Sequence, residues 1–420
     1  MPIAVNDYLP RVVDGEVSRA LRSMPAVVLE GPRGCGKTRT GREHACSEVL
    51  FGGDAGARIG AQLDPHGVLS GSEPRLLDEW QLAPEIWNQM RVAADDGGRP
   101  GRFILTGSAS PADDVTRHTG AGRVRRVRMR TMSSYETGLS SGEISMDDLF
   151  GAATGFIESQ APQLGDIIEA ACRGGWPASI RFDLDAALDY ANGYLMEISR
   201  ADVPQLGTRR SPTGLSRLLR SLARNVSTEA SQRTLAKGTG AEELLDPRTV
   251  GAYLEALEQV FVVEDIPAWS AQLRSRARLR QAPKRHLADP SLAVAALDAT
   301  PQRLRADLET FGLLFEALAI RDLRVYAQRS RGWLSHYRDS DDLEVDAIIE
   351  RPSGAWLAAE IKLGGEHAIE QAARSLTALA AKVSERSVGR PADLVVLTAV
   401  GSGYRRPDGV AVVPVTALGP

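Results

Sequence analysis

Short apolar runs alternate with polar, glycine-rich stretches along the first third of the chain. Ala26-Val27-Val28-Leu29-Glu30 reads as a short buried strand, and the stretch from Lys37 through Thr40, Arg42 and Ala45 reads as a helix. Arg75-Leu76-Leu77-Asp78-Glu79-Trp80 and Arg102-Phe103-Ile104-Leu105-Thr106-Gly107-Ser108 supply two further strands. From Met146 to about Leu206, Ala, Leu, Ile and acidic residues recur at helical spacing, interrupted by Arg173-Gly174-Gly175-Trp176-Pro177. Between Gly214 and Pro267 three helix-like segments precede a strand-like Val260-Phe261-Val262-Val263-Glu264-Asp265. The third of these helices opens at Asp246-Pro247, an acidic cap followed by proline in the first turn. After Pro301 the pattern changes to an amphipathic helix around Phe311 to Leu318, then strands at Val325-Tyr326 and Leu334-Ser335-His336-Tyr337. Two longer strands, Glu344 to Glu350 and Ala355 to Lys362, are joined at Pro352-Ser353-Gly354, and a helix from Ala368 to Lys382 and a strand from Asp393 to Leu397 follow.

The first strand and helix are connected by Gly31-Pro32-Arg33-Gly34-Cys35-Gly36-Lys37-Thr38. Glycines at these spacings let backbone N–H groups curl around phosphates, and the helix N-terminus adds partial positive charge. Lys37 then contacts the β- and γ-phosphates of ATP, and Thr38 ligates Mg2+. Such a loop needs an acidic partner at the end of another strand, which Asp78 and Glu79 supply: Asp78 to hold Mg2+ through its water shell, Glu79 to orient or activate the attacking water. Thr106 or Ser108, ending the third strand, can sense the γ-phosphate from between the other two strands.

These segments, in this order, resemble the AAA-type ATPases. The closer resemblance is to a bacterial family with an AAA-type domain in front and a domain of unknown function behind. It rests on Tyr8-Leu9-Pro10-Arg11, Leu77-Asp78-Glu79-Trp80-Gln81, Ile104 to Ser108, and Gly122-Arg123 leading into Arg128 to Ser133, and it runs through the chain to Leu363. The resemblance implies an ATPase activated by homo-oligomerisation or by a protein partner, in which an arginine reaches a γ-phosphate; Arg117 and Arg123 are the candidates. Pro74 and Arg75, at the start of the strand that ends in Asp78, depart from the family pattern and bear on the hydrolysis rate.

Composition narrows the picture. At 420 residues the chain exceeds what one hydrophobic core usually serves. No stretch approaches the ~20 consecutive apolar residues of a membrane span, and the start lacks a secretory pattern, so no membrane partner and a cytoplasmic location are expected. The three cysteines, Cys35, Cys46 and Cys172, are too few for a disulfide framework. A net charge of −4 argues against a surface that coats nucleic acid throughout, and directs attention to local patches. Lysine occurs only at 37, 237, 284, 362 and 382, whereas arginine is abundant, and two of the five, Lys37 and Lys362, fall in the glycine loop and at the end of the second C-terminal strand.

The helices between Gly214 and Pro267 with the following strand have the pattern of a winged helix, a fold that contacts either DNA or protein. Arg274, Arg276, Arg278, Arg280, Lys284 and Arg285 follow with no acidic residue between them. On an extended strand their alternate members share a face, which serves either to bind phosphates or as a solvated basic loop.

In the C-terminal hairpin, a loop at Pro352-Ser353-Gly354 pairs Arg351 with Ala355 and sets Asp346 opposite Glu360. Asp346, Glu360 and Lys362 then share one face, where two carboxylates and a lysine can hold Mg2+ or Mn2+ and steady a water attacking a phosphodiester. The arrangement resembles the PD-(D/E)XK nuclease core, with Glu316 on the leading helix completing the acidic set and Val345 replacing the usual proline. Three readings stand: a metal-dependent nuclease, a degenerate core retained for binding, and a salt-bridged sheet edge.

The expected architecture is a multidomain α/β protein. It comprises an AAA-type P-loop ATPase domain over 1–135, a helical lid over 136–212, a winged helix over 213–267 and a restriction-endonuclease-like α/β domain over 268–420. ATP hydrolysis in front is expected to control a nuclease-like domain acting on nucleic acid, DNA before RNA. A regulatory, toxin-like binding module with an inert back domain is the other reading.

Overall fold

The computed structural model describes residues 8–96, 98–107, 120–151, 162–202, 211–240, 244–270, 282–383 and 388–420. Ser108, Arg117, Arg274, Arg276, Arg278 and Arg280 lie outside the described residues. The chain forms two compact units, Met1–Thr131 with Gln259–Phe261, and Met132–Glu258 with Val262–Pro420.

In the first unit α1 (Asp14–Leu21) precedes β1 (Ala26–Glu30), α2 (Lys37–His44), β2 (Ser47–Leu50), α3 (Ala55–Leu63), α4 (Pro65–Leu69), β3 (Arg75–Asp78), α5 (Glu85–Asp95), β4 (Phe103–Gly107) and β5 (Val124–Arg128). All five strands run parallel in the order β2-β3-β4-β1-β5. Both faces are covered, as parallel sheets require. Ala26, Val28, Leu77, Phe103 and Leu105 join one core with Trp80, Ile86 and Met90, while Val27, Leu29, Leu76 and Ile104 join another with Val13 and Val17. Pro74 and Arg75 do not prevent the strand. Arg75 opens β3 and turns its guanidinium to the Val68 carbonyl (2.9 Å) and the Ser47 hydroxyl (2.9 Å) at the sheet edge.

The second unit contains a two-residue strand β6 (Ile144–Ser145), then helices α6 (Met146–Phe150), α7 (Leu164–Arg173), α8 (Leu184–Glu197), α9 (Pro212–Arg224), α10 (Gln232–Lys237), α11 (Pro247–Gln259), α12 (Pro290–Ala296), α13 (Pro301–Ala306) and α14 (Leu308–Arg329). Strands β7 (Trp333–Arg338), β8 (Glu344–Glu350) and β9 (Trp356–Lys362) are followed by α15 (Glu366–Lys382), β10 (Leu394–Thr398), β11 (Tyr404–Arg405), β12 (Ala411–Pro414) and β13 (Leu418–Gly419). The six-stranded sheet has the order β11-β12-β10-β9-β8-β7.

The segments read from sequence as lid, winged helix and nuclease-like domain share this one unit. The chain end pairs Leu418 with Ile144, and α12 packs on α7, α8 and α9. Local pattern cannot reveal contacts between residues so far apart in sequence.

Three local expectations are corrected. Val325 and Tyr326 belong to α14, whose residues from Leu314 to Ala327 are all buried. A helix buried on every side, with charged residues such as Arg321 and Asp322 inside it, shows no simple apolar stripe, so its β-branched and aromatic positions mimic a strand. The stretch Val260 to Asp265 forms no regular strand; the chain makes isolated bridges instead, Val263 with Leu287, Ile266 with Lys284 and Ala268 with His336. The three helices before it are present, with Asp246 accepting from the Arg248 N–H (2.8 Å) at the start of α11. Lastly, Lys284 and Arg285 are buried and belong to no solvated basic face; Arg285 pairs with Asp265 and donates to the Ala230 carbonyl (3.0 Å).

Candidate functional site

The phosphate loop leaves β1 at Gly31, where a Cβ would come within 2.2 Å of the Met129 carbonyl oxygen, so only glycine fits. Gly34 and Gly36 have φ of 78° and 102°, the left-handed region that lets successive amides face one side before α2 begins at Lys37. Pro32 and Cys35 are buried beneath the loop, while Arg33 faces solvent. Lys37 Nζ donates to the carbonyls of Gly31 (2.8 Å) and Pro32 (2.9 Å), which fixes the ammonium against the loop.

Asp78 ends β3, and β4 lies between β3 and β1 as expected. In register, Thr106 of β4 stands beside Leu29 on one side and Asp78 on the other. Asp78 Oδ1 accepts from the hydroxyls of Thr38 (2.7 Å) and Thr106 (2.5 Å). Thr38 and Asp78 thus present two hard oxygen donors side by side, a set that fits Mg2+. Glu79 has φ 55° and ψ 43°, a left-handed conformation costly for a non-glycine residue and concentrated at functional positions. Its amide donates to Thr106 Oγ1 (3.3 Å), and its carboxylate accepts from Gln81.

Arg123 does not join this group. It precedes β5, whose first residue pairs with Ala26, so it stands at the N-terminal edge of the sheet. The loop leaves the opposite edge, five residues or ~16 Å along β1. Arg123 pairs there with Asp95 and the Ala121 carbonyl (3.2 Å), out of reach of its own domain's phosphates.

Arg11 braces the loop from behind, Nη1 donating to the Cys35 carbonyl (2.9 Å) and Nη2 to the Arg130 carbonyl (2.9 Å). Tyr8 donates to Asp14 (2.7 Å) and contacts Thr40 of α2 (3.0 Å). Sequence flagged Tyr8 and Arg11 only as parts of a family motif, with no role attached.

In the second unit, the β8–β9 register of Ala347 with Ala359 and Glu350 with Trp356 sets Asp346 opposite Glu360, and the Arg351 N–H donates to the Ala355 carbonyl (2.8 Å). Lys362 Nζ lies 3.0 Å from Asp346 Oδ2 and 2.6 Å from Glu360 Oε2. Glu316 of α14 lines the same cleft of about 560 Å³, as do Gln371 and Ser375 of α15.

An unexpected residue occupies the centre. Lys284 is 1% exposed, and its Nζ sits 3.1 Å from Glu316 Oε1, 2.8 Å from Glu344 Oε1 and 2.9 Å from Asp346 Oδ1. Burial opposes its charge, but the charges of Asp346, Glu316 and Glu344 outweigh burial and hold the ammonium protonated well above its ordinary range. The carboxyls divide the remaining protons. Burial would raise Asp346, yet Lys284, Lys362 and the Ile361 N–H keep it ionised far below the usual carboxylate range. Burial and the neighbouring Asp346 charge push Glu316 up to about 8 and raise Glu360 well above its ordinary value.

The acidic set therefore does not fit a divalent cation as it stands. Among the described residues no group of three or more His, Cys, Asp or Glu is arranged to hold a metal ion. On Asp346 and Glu360, where the sequence leads to an expectation of Mg2+ or Mn2+, the structure sets Lys284 and Lys362 against the carboxylates. In Lys284 a cation is already present, brought by a segment 60 residues before the start of β8 in sequence. The scarcity of lysine was the one available signal for Lys284.

A glycine loop between a buried parallel strand and a helix, with an acid–hydroxyl pair on the neighbouring strands, defines a P-loop nucleotide-binding domain. Comparison with known proteins agrees: residues 23–138 match the family model described as an AAA domain. The front segment is thus an AAA-type P-loop domain, the kind that binds and hydrolyses ATP. Residues 164–303 and 311–418 match two domains of unknown function, DUF8612 and DUF4143. Two proteins described as uncharacterized, from Mycobacterium bovis and Mycobacterium tuberculosis, are each 27% identical over 363 residues, spanning 85% of this chain and 74% of theirs. The solved structure of the Aeropyrum pernix ORC1 protein in complex with DNA covers 72% of this chain and 97% of its own at 14% identity. Its TM-score of 0.24 is too low for any statement about fold. Among the described residues no helix is long and apolar enough to cross a membrane.

Proposed function

We propose that the chain is a Mg2+-dependent ATPase whose nucleotide state controls a nuclease-like core, and that this core holds nucleic acid without cutting it. The observation that carries the front half is Asp78 Oδ1 accepting from both Thr38 and Thr106 beside a glycine loop. Lys37 binds the β- and γ-phosphates, Thr38 and Asp78 hold the cation, and Glu79 orients the attacking water. Magnesium, when bound, neutralises charge on the transferring phosphoryl group. Arg123 would leave its pair with Asp95 to serve a second copy or a partner protein, a role in keeping with an ATPase completed by assembly.

Three exposed arginines on α9 favour a nucleic-acid ligand. Arg217, Arg220 and Arg224 recur at helical spacing on its solvent face. A concavity of about 450 Å³ there is also lined by Arg303. Neutralising Arg217 and Arg224 is expected to weaken nucleic-acid retention uniformly across sequences and to flatten its salt dependence. A second reading, metal-dependent cleavage, draws on Asp346, Glu360 and Lys362 sharing one face.

The deciding experiment incubates labelled single- and double-stranded DNA and RNA with Mg2+ or Mn2+, with and without ATP. Phosphate release is followed in parallel. Retention without cleavage, and phosphate release reduced by on the order of 10²-fold in Glu79→Gln, is the expected result. Cleavage by the wild type that disappears in Lys362→Ala would establish the nuclease reading. Equal, slow phosphate release by wild type and Glu79→Gln would remove Glu79 from its role.

A further inference from the structure

The backbone around Lys284 is held from two sides. Its N–H and carbonyl exchange hydrogen bonds with Ile266 (3.0 and 2.9 Å), while the next residue, Arg285, donates to the Thr228 carbonyl (2.9 Å) and accepts from the Ser227 N–H (2.8 Å). The ammonium is therefore delivered by a fixed strand-like segment and not by a solvent-exposed side chain free to choose its partner. Oxygens of three carboxylates from α14 and β8 converge on it, all within 3.1 Å. Carboxylates converge in this way on hard divalent cations, at 2.0–2.6 Å depending on the ion. The carboxylate oxygens therefore stand from a few tenths of an ångström to about 1 Å farther from the centre than a divalent ion would hold them.

We propose that Lys284 is a resident counter-ion standing in the place of a divalent metal, and that a latent metal site of Glu316, Glu344 and Asp346 lies beneath it. The proposal rests on the reading of this core as one that binds without cutting, and gives that reading its cause. Lysine supplies one positive charge and no open coordination position, so it satisfies Asp346 electrostatically while offering no Lewis acid to a phosphodiester. Lys362 contacts the other carboxylate oxygen of Asp346, Oδ2, and Glu360.

The test counts bound Mn2+ by electron paramagnetic resonance on the nucleotide-free full chain, comparing wild type, Asp346→Asn, Lys284→Ala and Lys284→Ala/Asp346→Asn. Wild type and Asp346→Asn should bind Mn2+ equally. Lys284→Ala should gain one ion per chain with affinity at least about tenfold above wild type, and the double variant should lose that gain. Removing the lysine leaves carboxylates uncompensated, so melting is followed as well: Mn2+ should raise the transition temperature of Lys284→Ala and leave that of the double variant unchanged. Wild-type Mn2+ binding that Asp346→Asn abolishes would overturn the proposal, and needs no lysine variant to fold. Failure of folded Lys284→Ala to gain an ion would overturn it too. Cleavage of nucleic acid by the wild type would sink the binding reading while leaving this titration to be judged separately.

Discussion

Thr38 and Asp78 meet through a 2.7 Å hydrogen bond that joins the first turn of α2 to the end of β3, with Thr106 donating to the same carboxylate oxygen. Two hydroxyls on one oxygen fix the orientation of Asp78 before any ligand arrives. Outer partners of this kind typically contribute 10–100-fold to metal affinity. Thr106→Val is therefore expected to raise the Mg2+ concentration for half-maximal ATP hydrolysis about tenfold. An unchanged Mg2+ requirement would mean that Thr106 only fills space.

Arg11 reaches the loop through carbonyls at Cys35 and Arg130. Hydrogen bonds from a charged donor contribute about 1.5–3 kcal/mol each, and losing both frees the loop backbone. Arg11→Ala should weaken binding of a non-hydrolysable ATP analogue and lower the melting temperature of the free protein. A fall in melting temperature with unchanged nucleotide affinity would assign Arg11 to the scaffold alone.

Arg321 lies buried between two carboxylates, 2.8 Å from Asp322 Oδ1 and 3.4 Å from Asp289 Oδ2. Asp322 also accepts from the Ser134 N–H (3.0 Å), and Asp289 from the Gly175 N–H (2.9 Å), so one guanidinium ties together four remote parts of the second unit. Removing one member of a buried ion network costs about 3–5 kcal/mol, because the partners stay buried and unpaired. Arg321→Met should shift the urea midpoint accordingly, and Arg321→Met/Asp322→Asn should recover part of the loss. A double variant no better than the single one would mean packing dominates.

His286 and His336 give the second unit an acid-sensitive step. Burial and the Lys284 charge lower His336 from 6.5 to about 4, and burial, with Arg324 and Lys284 nearby, drives His286 well below its ordinary value. Both are neutral in the folded state, so above pH 6.5 neither affects stability. Below it the unfolded chain binds protons that the folded chain refuses, and stability falls as pH drops toward 4, by on the order of 3 kcal/mol for His336. Urea unfolding at pH 7.5, 6 and 5 should show a falling midpoint whose slope lessens in His336→Gln. Identical slopes in the two proteins would contradict this assignment.

The sequence by itself determined the nucleotide site. Glycine spacing, the Lys37-Thr38 ending and the apolar run before them are local features whose geometry needs only a strand, a turn and a helix, and the structure has all three. The hairpin register at Asp346 and Glu360 was likewise local, set by a three-residue loop and period-two alternation.

Only the tertiary structure decided what stands across from these groups. It put Arg123 at the far edge of the sheet, because parallel pairing fixes β5 from its start at Val124. It gathered the helices after β6, the three-helix segment and the six-stranded sheet into one unit through pairings such as Ile144 with Leu418. And it set Lys284 among the carboxylates of Glu316, Glu344 and Asp346. Whether an acidic cluster takes a metal or a lysine depends on which distant segment reaches it, a long-range choice that leaves no period in the local pattern.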